Sequence, residues 1–214
     1  MKFFSTDSPV YRFMIRLWDM VKISLLWLIC SIPIVTIGPA TVALNKIALQ
    51  MVDEAEGYVA RDFLKAFKEN LKSSIPLGLI GLVAFYAVYL DMQFFQAVEG
   101  NPMFFLVVAI ITTFVCGMAF IYAFPLMARY ENTTLKTLKN SYDIATRYFL
   151  RTLLLAVLIA IEVLLFMWNY TLMFIGVLIG PGTIALTVSA FAIRFFREIE
   201  KEPGAVINKE ESDI

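Results

Sequence analysis

Four long apolar stretches, residues 75–95, 103–127, 152–169 and 172–195, constrain this chain more than anything else in it. Each has roughly the 17–25 residues that an α-helix needs to cross about 30 Å of hydrocarbon. Inside a bilayer the backbone must satisfy its own polar groups, which leaves helices or closed barrels. The runs are continuous rather than alternating, so helices are expected. Of the 214 residues, 60% are hydrophobic, and 19 are Phe. A chain this short has too little interior to hide that surface from water. The expected fold class is therefore all-α, an integral membrane helical bundle forming a single transmembrane domain over residues 1–214.

A fifth apolar stretch, 22–52, is too long for one span and is interrupted by Pro33 and by Gly38-Pro39. It reads as two short helices, 22–37 and 40–52, forming a Gly-Pro-broken hairpin. Whether this hairpin crosses or only dips is left open. Counting it as an out-and-back pair gives about six membrane segments. Ahead of it, Ser8-Pro9 reads as an N-cap with Pro at the first helical position. Phe13, Met14, Leu17, Trp18 and Val21 then share one face, opposite Arg12, Arg16 and Asp19. That pattern predicts an interfacial helix over 8–21. No small-residue cleavage site follows the first apolar run, so the start does not read as a signal peptide.

Charge placement orients the spans. Lys and Arg collect on cytoplasmic loops. Here they fall in the head, in 53–74, in 128–151 and in the tail, whereas the loops 96–102 and 169–171 carry neither. The expected location is a bacterial plasma membrane, multi-pass, with N and C termini and the tail 203–214 in the cytoplasm.

Two cytoplasmic segments have the periodicity of amphipathic helices. In 58–72, Val59, Phe63, Phe67 and Leu71 oppose the basic stripe Arg61, Lys65, Lys68 and Lys72. The stripe is a candidate surface for the membrane face or for a cytoplasmic partner. In 133–149 the apolar stripe is Leu135, Leu138, Tyr142, Ala145 and Phe149, with Asn132 or Thr133 as cap.

Two internal features are candidate sites. Residues 37–44, Ile-Gly-Pro-Ala-Thr-Val-Ala-Leu, recur at 179–186 as Ile-Gly-Pro-Gly-Thr-Ile-Ala-Leu. Interrupted helices in corresponding places mark binding sites in many transporters. Gly38, Pro39, Thr41, Gly180, Pro181 and Thr183 are therefore the candidate broken-helix motifs, each copy expected to start a helix. Lys46 and Glu162 lie inside apolar segments, where a charge costs about 2.5–3.5 kcal/mol on insertion scales. Counted from the presumed outer turns, both reach a similar depth, which predicts an intramembrane Lys46–Glu162 pair.

Catalytic signatures are missing from the sequence. It has no His, and its two cysteines, Cys30 and Cys116, sit within apolar runs as small hydrophobes rather than as a disulfide framework. It contains no phosphate loop, nucleophile elbow or metal-spaced cluster. Asp91 and Glu99 are single acids. The net charge is zero, which gives no footprint for nucleic acid. The chain is expected to be no enzyme and to carry no cofactor or metal.

Residues 26–41, Leu-Trp-Leu-Ile-Cys-Ser-Ile-Pro-Ile-Val-Thr-Ile-Gly-Pro-Ala-Thr, resemble the hallmark segment of the YesL-like bacterial membrane proteins. Glu56-Gly57-Tyr58-Val59, Arg61-Asp62-Phe63, Ala66-Phe67-Lys68-Glu69-Asn70 and the run 124–133 (Phe-Pro-Leu-Met-Ala-Arg-Tyr-Glu-Asn-Thr) add to the likeness. It extends from residue 8 to about 150 and is loose thereafter. The resemblance implies an accessory component of carbohydrate, specifically oligosaccharide, ABC-type uptake in Gram-positive bacteria. Its partners would be the bilayer and the importer's permease or ATPase subunits. An independent small transporter or channel and a membrane sensor or regulator are the competing readings, and self-association into a homo-oligomer is left open.

Overall fold

The computed structural model describes residues 9–53, 57–97, 103–130 and 132–199. Among them the chain is helical throughout, with no strand. In order the helices are α1 (Pro9–Cys30), α2 (Ile37–Val52), α3 (Val59–Glu69), α4 (Leu71–Ala97), α5 (Met103–Phe120), α6 (Ala123–Arg129), α7 (Thr134–Arg147), α8 (Phe149–Met167) and α9 (Tyr170–Ile199). A single 3₁₀ turn, Ile34–Thr36, joins α1 to α2. The expected cap at Ser8, the acids Glu54, Glu56 and Glu99, and the tail 203–214 lie outside the described residues.

Five stretches are long and apolar enough to cross a membrane: Ile34–Val52, Leu71–Ala97, Met103–Arg129, Phe149–Met167 and Tyr170–Ile199. Their burial separates them. More than half of the Ile34–Val52 window is buried, against 11–22% in the other four. Thus α2 is the central helix and the others surround it. Their outer faces present Phe85, Phe104, Ile110, Leu154 and Leu164, all more than half exposed. Apolar surface of that extent is stable against lipid and not against water. The chain is an integral membrane protein.

Proline decides where several helices stop, though Pro76 and Pro181 lie inside α4 and α9. Pro33 ends the upstream helix, because its ring restricts the residue before it and it offers no N–H. The helix accordingly terminates at Cys30 rather than at residue 37. Nothing between residues 10 and 30 breaks a helix, so the interfacial segment and the first hairpin arm, expected as two pieces meeting at 21–22, form the one helix α1. The second arm starts at Ile37, with Gly38 and Pro39 inside its first turn, where the missing donor costs nothing. Pro125 cannot donate to the Ile121 carbonyl and crowds it. The stretch 103–127 therefore breaks at residues 121–122 into α5 and α6.

The hairpin tip does not reach the far end of the bundle. Gly38 lies backbone to backbone against Gly78 in the second turn of α4. Residues 79–97 of α4, about 28 Å of helix at 1.5 Å per residue, continue past it. Opposite the tip is a basic end, where α2, α6 and α9 finish and α3, α4, α7 and α8 begin. Asp53 ties it together, accepting from Arg197 at 2.6 Å with Arg129 at 4.0 Å. Beside this cluster Tyr122 is fully buried. Its ring meets Phe195 edge-on at 5.5 Å, and its hydroxyl lies 3.2 Å from Thr152 Oγ1. Tyr148 stacks on the same Phe195 at 4.6 Å.

Candidate functional site

The two copies of the repeated octapeptide come together, because α2 packs along α9. Ala43, Leu44, Ile47 and Ala48 share a buried cluster with Ala185, and Leu49 shares one with Val188 and Ala192. Between the copies, α1, α6 and α8 complete a cavity of about 530 Å³. Thr41 and Asn45 line it from the first copy's helix, and Gly180 and Pro181 from the second; Trp27, Pro125 and Phe166 close the sides.

The repeats differ in local structure. The first begins α2, as expected. The second does not begin a helix: Pro181 sits inside the continuous α9. Four residues before Ile37 stands Pro33, which has already stopped the chain; before Ile179 run Ile-Gly-Val-Leu, which propagate a helix. Pro181 withholds the N–H that the Val177 carbonyl would accept, a loss that neighbouring helices make tolerable within a membrane bundle. Gly38 is buried against α4, Pro39 is buried beside it in the chain, and neither lines the cavity. Thr183 turns back on its own helix, donating to the Gly180 carbonyl at 3.0 Å.

The few polar groups at the cavity are engaged with each other. Trp27 Nε1 donates to Thr41 Oγ1 at 3.1 Å, Thr41 Oγ1 donates to the Ile37 carbonyl at 2.8 Å, and Asn45 Nδ2 donates to the Thr41 carbonyl at 2.8 Å. This chain pins α1 to α2. It leaves a cavity whose walls are chiefly Leu, Ile, Val, Phe and Met.

Lys46 and Glu162 are not partners. Lys46 Nζ bonds Glu69 Oε2 at 3.1 Å, at the basic end where α3 meets α4. Glu162 Oε1 accepts from Thr187 Oγ1 at 2.5 Å on α9, and its Oε2 is buried with no hydrogen bond among the described residues. Equal depth for the two groups requires the α1–α2 turn to lie at the outer face. The turn lies instead beside Gly78, which places Lys46 nearer the basic end.

The basic stripe is also divided. Arg61, Lys65 and Lys68 are exposed on α3, but α3 ends at Glu69 and Lys72 belongs to α4. On α7 the buried face is Thr137, Asn140, Ser141, Ile144 and Ala145. Of the apolar stripe expected there, Ala145 is buried while Leu135 is 75% and Tyr142 42% exposed. Thr133 is the N-cap residue, without a side-chain cap bond. Ser141, the polar residue at the centre of that face, accepts from the Tyr122 amide at 3.2 Å, where the α5–α6 break frees it.

Sequence reasoning missed two close approaches. One is Gly38 on Gly78, for which Ser74 and Gly78, small residues four apart, were the available signal. The other is Gly182, whose N–H donates to Ser24 Oγ at 3.0 Å, joining α9 to α1. No group of three or more His, Cys, Asp or Glu side chains that could hold a metal occurs among the described residues.

These packing contacts fall mostly in one region of the chain, and that region has relatives. Residues 20–92 match the family described as a protein of unknown function, DUF624. The matched segment is the hairpin, α3 and most of α4, so the Gly38–Gly78 contact and the Lys46–Glu69 pair both lie within it. No curated protein and no solved structure matches the chain.

Proposed function

We propose that this protein is a non-enzymatic accessory subunit of a membrane uptake complex, acting by lateral contact with a permease rather than by moving solute itself. The observation that carries the reading is the character of the cavity between the repeats. The donors of its polar side chains, Trp27, Thr41 and Asn45, are already taken up within the α1–α2 pair, and its walls are otherwise chiefly apolar. A sugar or ion placed there would leave its own polar groups unpaired, at a cost of roughly 2–7 kcal/mol each. The outward faces of α4, α5 and α8 are broad and apolar, with exposed aromatics chiefly on α4 and α5, and offer surface for van der Waals packing between helices in the bilayer.

The YesL-like likeness of residues 26–41 gives the context: an oligosaccharide importer of the ABC type in a Gram-positive plasma membrane. In this reading the basic end is cytoplasmic, with both termini inside, by the bias of Lys and Arg toward that side. The exposed bases Arg61, Lys65 and Lys68 on α3 then face the side on which an importer's ATPase works.

The test is recovery of tagged protein from its native membrane in mild detergent, read by mass spectrometry. Stoichiometric permease or ATPase subunits are expected. Recovery of this chain alone or as a homo-oligomer would overturn the reading and favour an autonomous role.

A further inference from the structure

A second concavity, of about 880 Å³, opens at the basic end between α2, α4, α6 and α7. Lys46, Lys72 and Arg129 line it against a single carboxylate among the described residues, Glu69. Lys46 is held by Glu69 at 3.1 Å, and Arg129 stands 4.0 Å from Asp53. Lys72 is exposed and makes no ion pair among the described residues. Among its described lining residues the cleft therefore carries an excess of positive charge; Glu131, between Tyr130 and Asn132, lies outside the described residues.

Two further donors border the cleft. Asn132 Nδ2 is buried with no hydrogen-bond partner among the described residues. Thr133 and Thr134 bring in the start of α7, whose first turn has no side-chain cap. Uncapped N–H groups at the positive end of a helix dipole favour an anion. The rest of the lining sets Asn70 and Ser73 beside an apolar portion of Pro76, Met127, Ala128 and Tyr130. Pro76 stands where α4 passes from Lys72-Ser73-Ser74 into its apolar run. The site thus sets basic and polar groups beside a smaller apolar portion, where α4 passes from polar to apolar sequence.

We propose that this cleft binds the phosphate of an anionic phospholipid, with Lys72 as its free cation, Asn132 and the α7 start as neutral donors, and Pro76 and Met127 against the glycerol and upper acyl chain. Ammonium and amide donors converging on one anion form charge-assisted bonds. Basic pockets between spans on the cytoplasmic side suit such head groups. The site is independent of whether the protein serves an importer.

The experiment uses the full-length protein in a neutral detergent, with thermal melting and native mass spectrometry. Phosphatidylglycerol, phosphatidylcholine and inorganic phosphate are added separately. Phosphatidylglycerol is expected to raise the melting temperature and remain bound, while phosphatidylcholine does neither. Lys72→Gln should weaken retention about fivefold, and Lys72→Arg should keep it. Lys139→Gln, an equal charge loss at an exposed α7 position outside the cleft, should leave retention unchanged. Unliganded melting of Lys72→Gln at the wild-type temperature shows that it folds. Equal loss in Lys72→Gln and Lys139→Gln, or no preference over phosphatidylcholine, would overturn the site. Stabilisation by inorganic phosphate as strong as by the lipid would overturn the lipid as its occupant.

Discussion

Gly38 and Gly78 pack backbone to backbone, and this contact sets how closely the hairpin lies against α4. A Cβ on Gly38 would fall 2.8 Å from Gly78 Cα and collide with the Ser74 carbonyl oxygen; one on Gly78 would fall 2.6 Å from Gly38 Cα. Backbone atoms cannot swing aside as a side chain does. Gly38→Ala and Gly78→Ala should each lower stability by about 1–3 kcal/mol, the usual cost of overpacking. Gly117→Ala on α5, with nothing within 4 Å, is the control. It should be neutral or stabilising by up to about 1 kcal/mol, from helix propensity alone. Denaturation in mild detergent, followed by tryptophan fluorescence, checks the ranking.

The repeated Gly-Pro motif should answer mutation unequally in its two copies. At Gly180 an added Cβ would lie 3.5 Å from the Phe166 ring, an ordinary contact. Gly180→Ala is therefore expected within about 1 kcal/mol of wild type, in contrast to Gly38→Ala. The sensitive glycine of that part of α9 is Gly176, one turn earlier and outside the repeat. Its Cβ would fall 2.7 Å from Phe166 Cβ and Cγ, near the root of the ring where rotation gives no relief. Thermal melts of the three alanine variants should rank Gly180→Ala well above the other two.

The helices were legible because apolar length and basic punctuation are properties of the chain itself. Residues 75–95 and 152–169 appear as α4 and α8 nearly as read, and Thr133 is the residue before α7. What the sequence could not show was the level at which segments meet. The octapeptides are alike, yet Pro33 ahead of the first starts a helix there and its absence ahead of the second leaves α9 unbroken. The Lys46–Glu162 pairing failed for a related reason, since depth along α2 depends on where its turn lies, and Gly78 decides that. The cavity was half legible. The repeat pointed to α2 and α9, but Trp27, Pro125 and Phe166 come from segments with no sequence link to it.

Glu162 makes Thr187 a residue of consequence. The Thr187 hydroxyl is the hydrogen-bond partner of a carboxyl group whose second oxygen is already buried without one. Thr187→Val removes it and should cost about 1–3 kcal/mol, the penalty of stranding a buried polar group. In a Glu162→Leu background the same change should cost much less, because nothing remains to strand. A double-mutant cycle measures the difference. Lys46 does not belong to this cycle: Lys46→Gln should cost at most about 1 kcal/mol, since its pair with Glu69 is substantially exposed. Coupling of Lys46 to Glu162 above about 0.5 kcal/mol would contradict the separation of the two groups.

Trp27 and Thr41 lock the two arms of the hairpin, and their bond decides whether α1 stays closed over the cavity. Thr41→Val keeps the shape of the side chain but leaves Trp27 Nε1 with no acceptor among the described residues. That change is expected to destabilise by about 1–3 kcal/mol. Trp27→Phe removes the donor and much of the ring, so in that background Thr41→Val should add little. Trp27 also lines the cavity, so tryptophan fluorescence quenching by a brominated detergent gives a second readout. In a Trp18→Phe, Trp168→Phe background, which removes the two exposed tryptophans, the bond holds the Trp27 ring between α1 and α2 and quenching should be low. Thr41→Val should raise quenching as the arm loosens and detergent chains enter. If quenching is unchanged while stability falls, the bond contributes to folding but does not close the cavity.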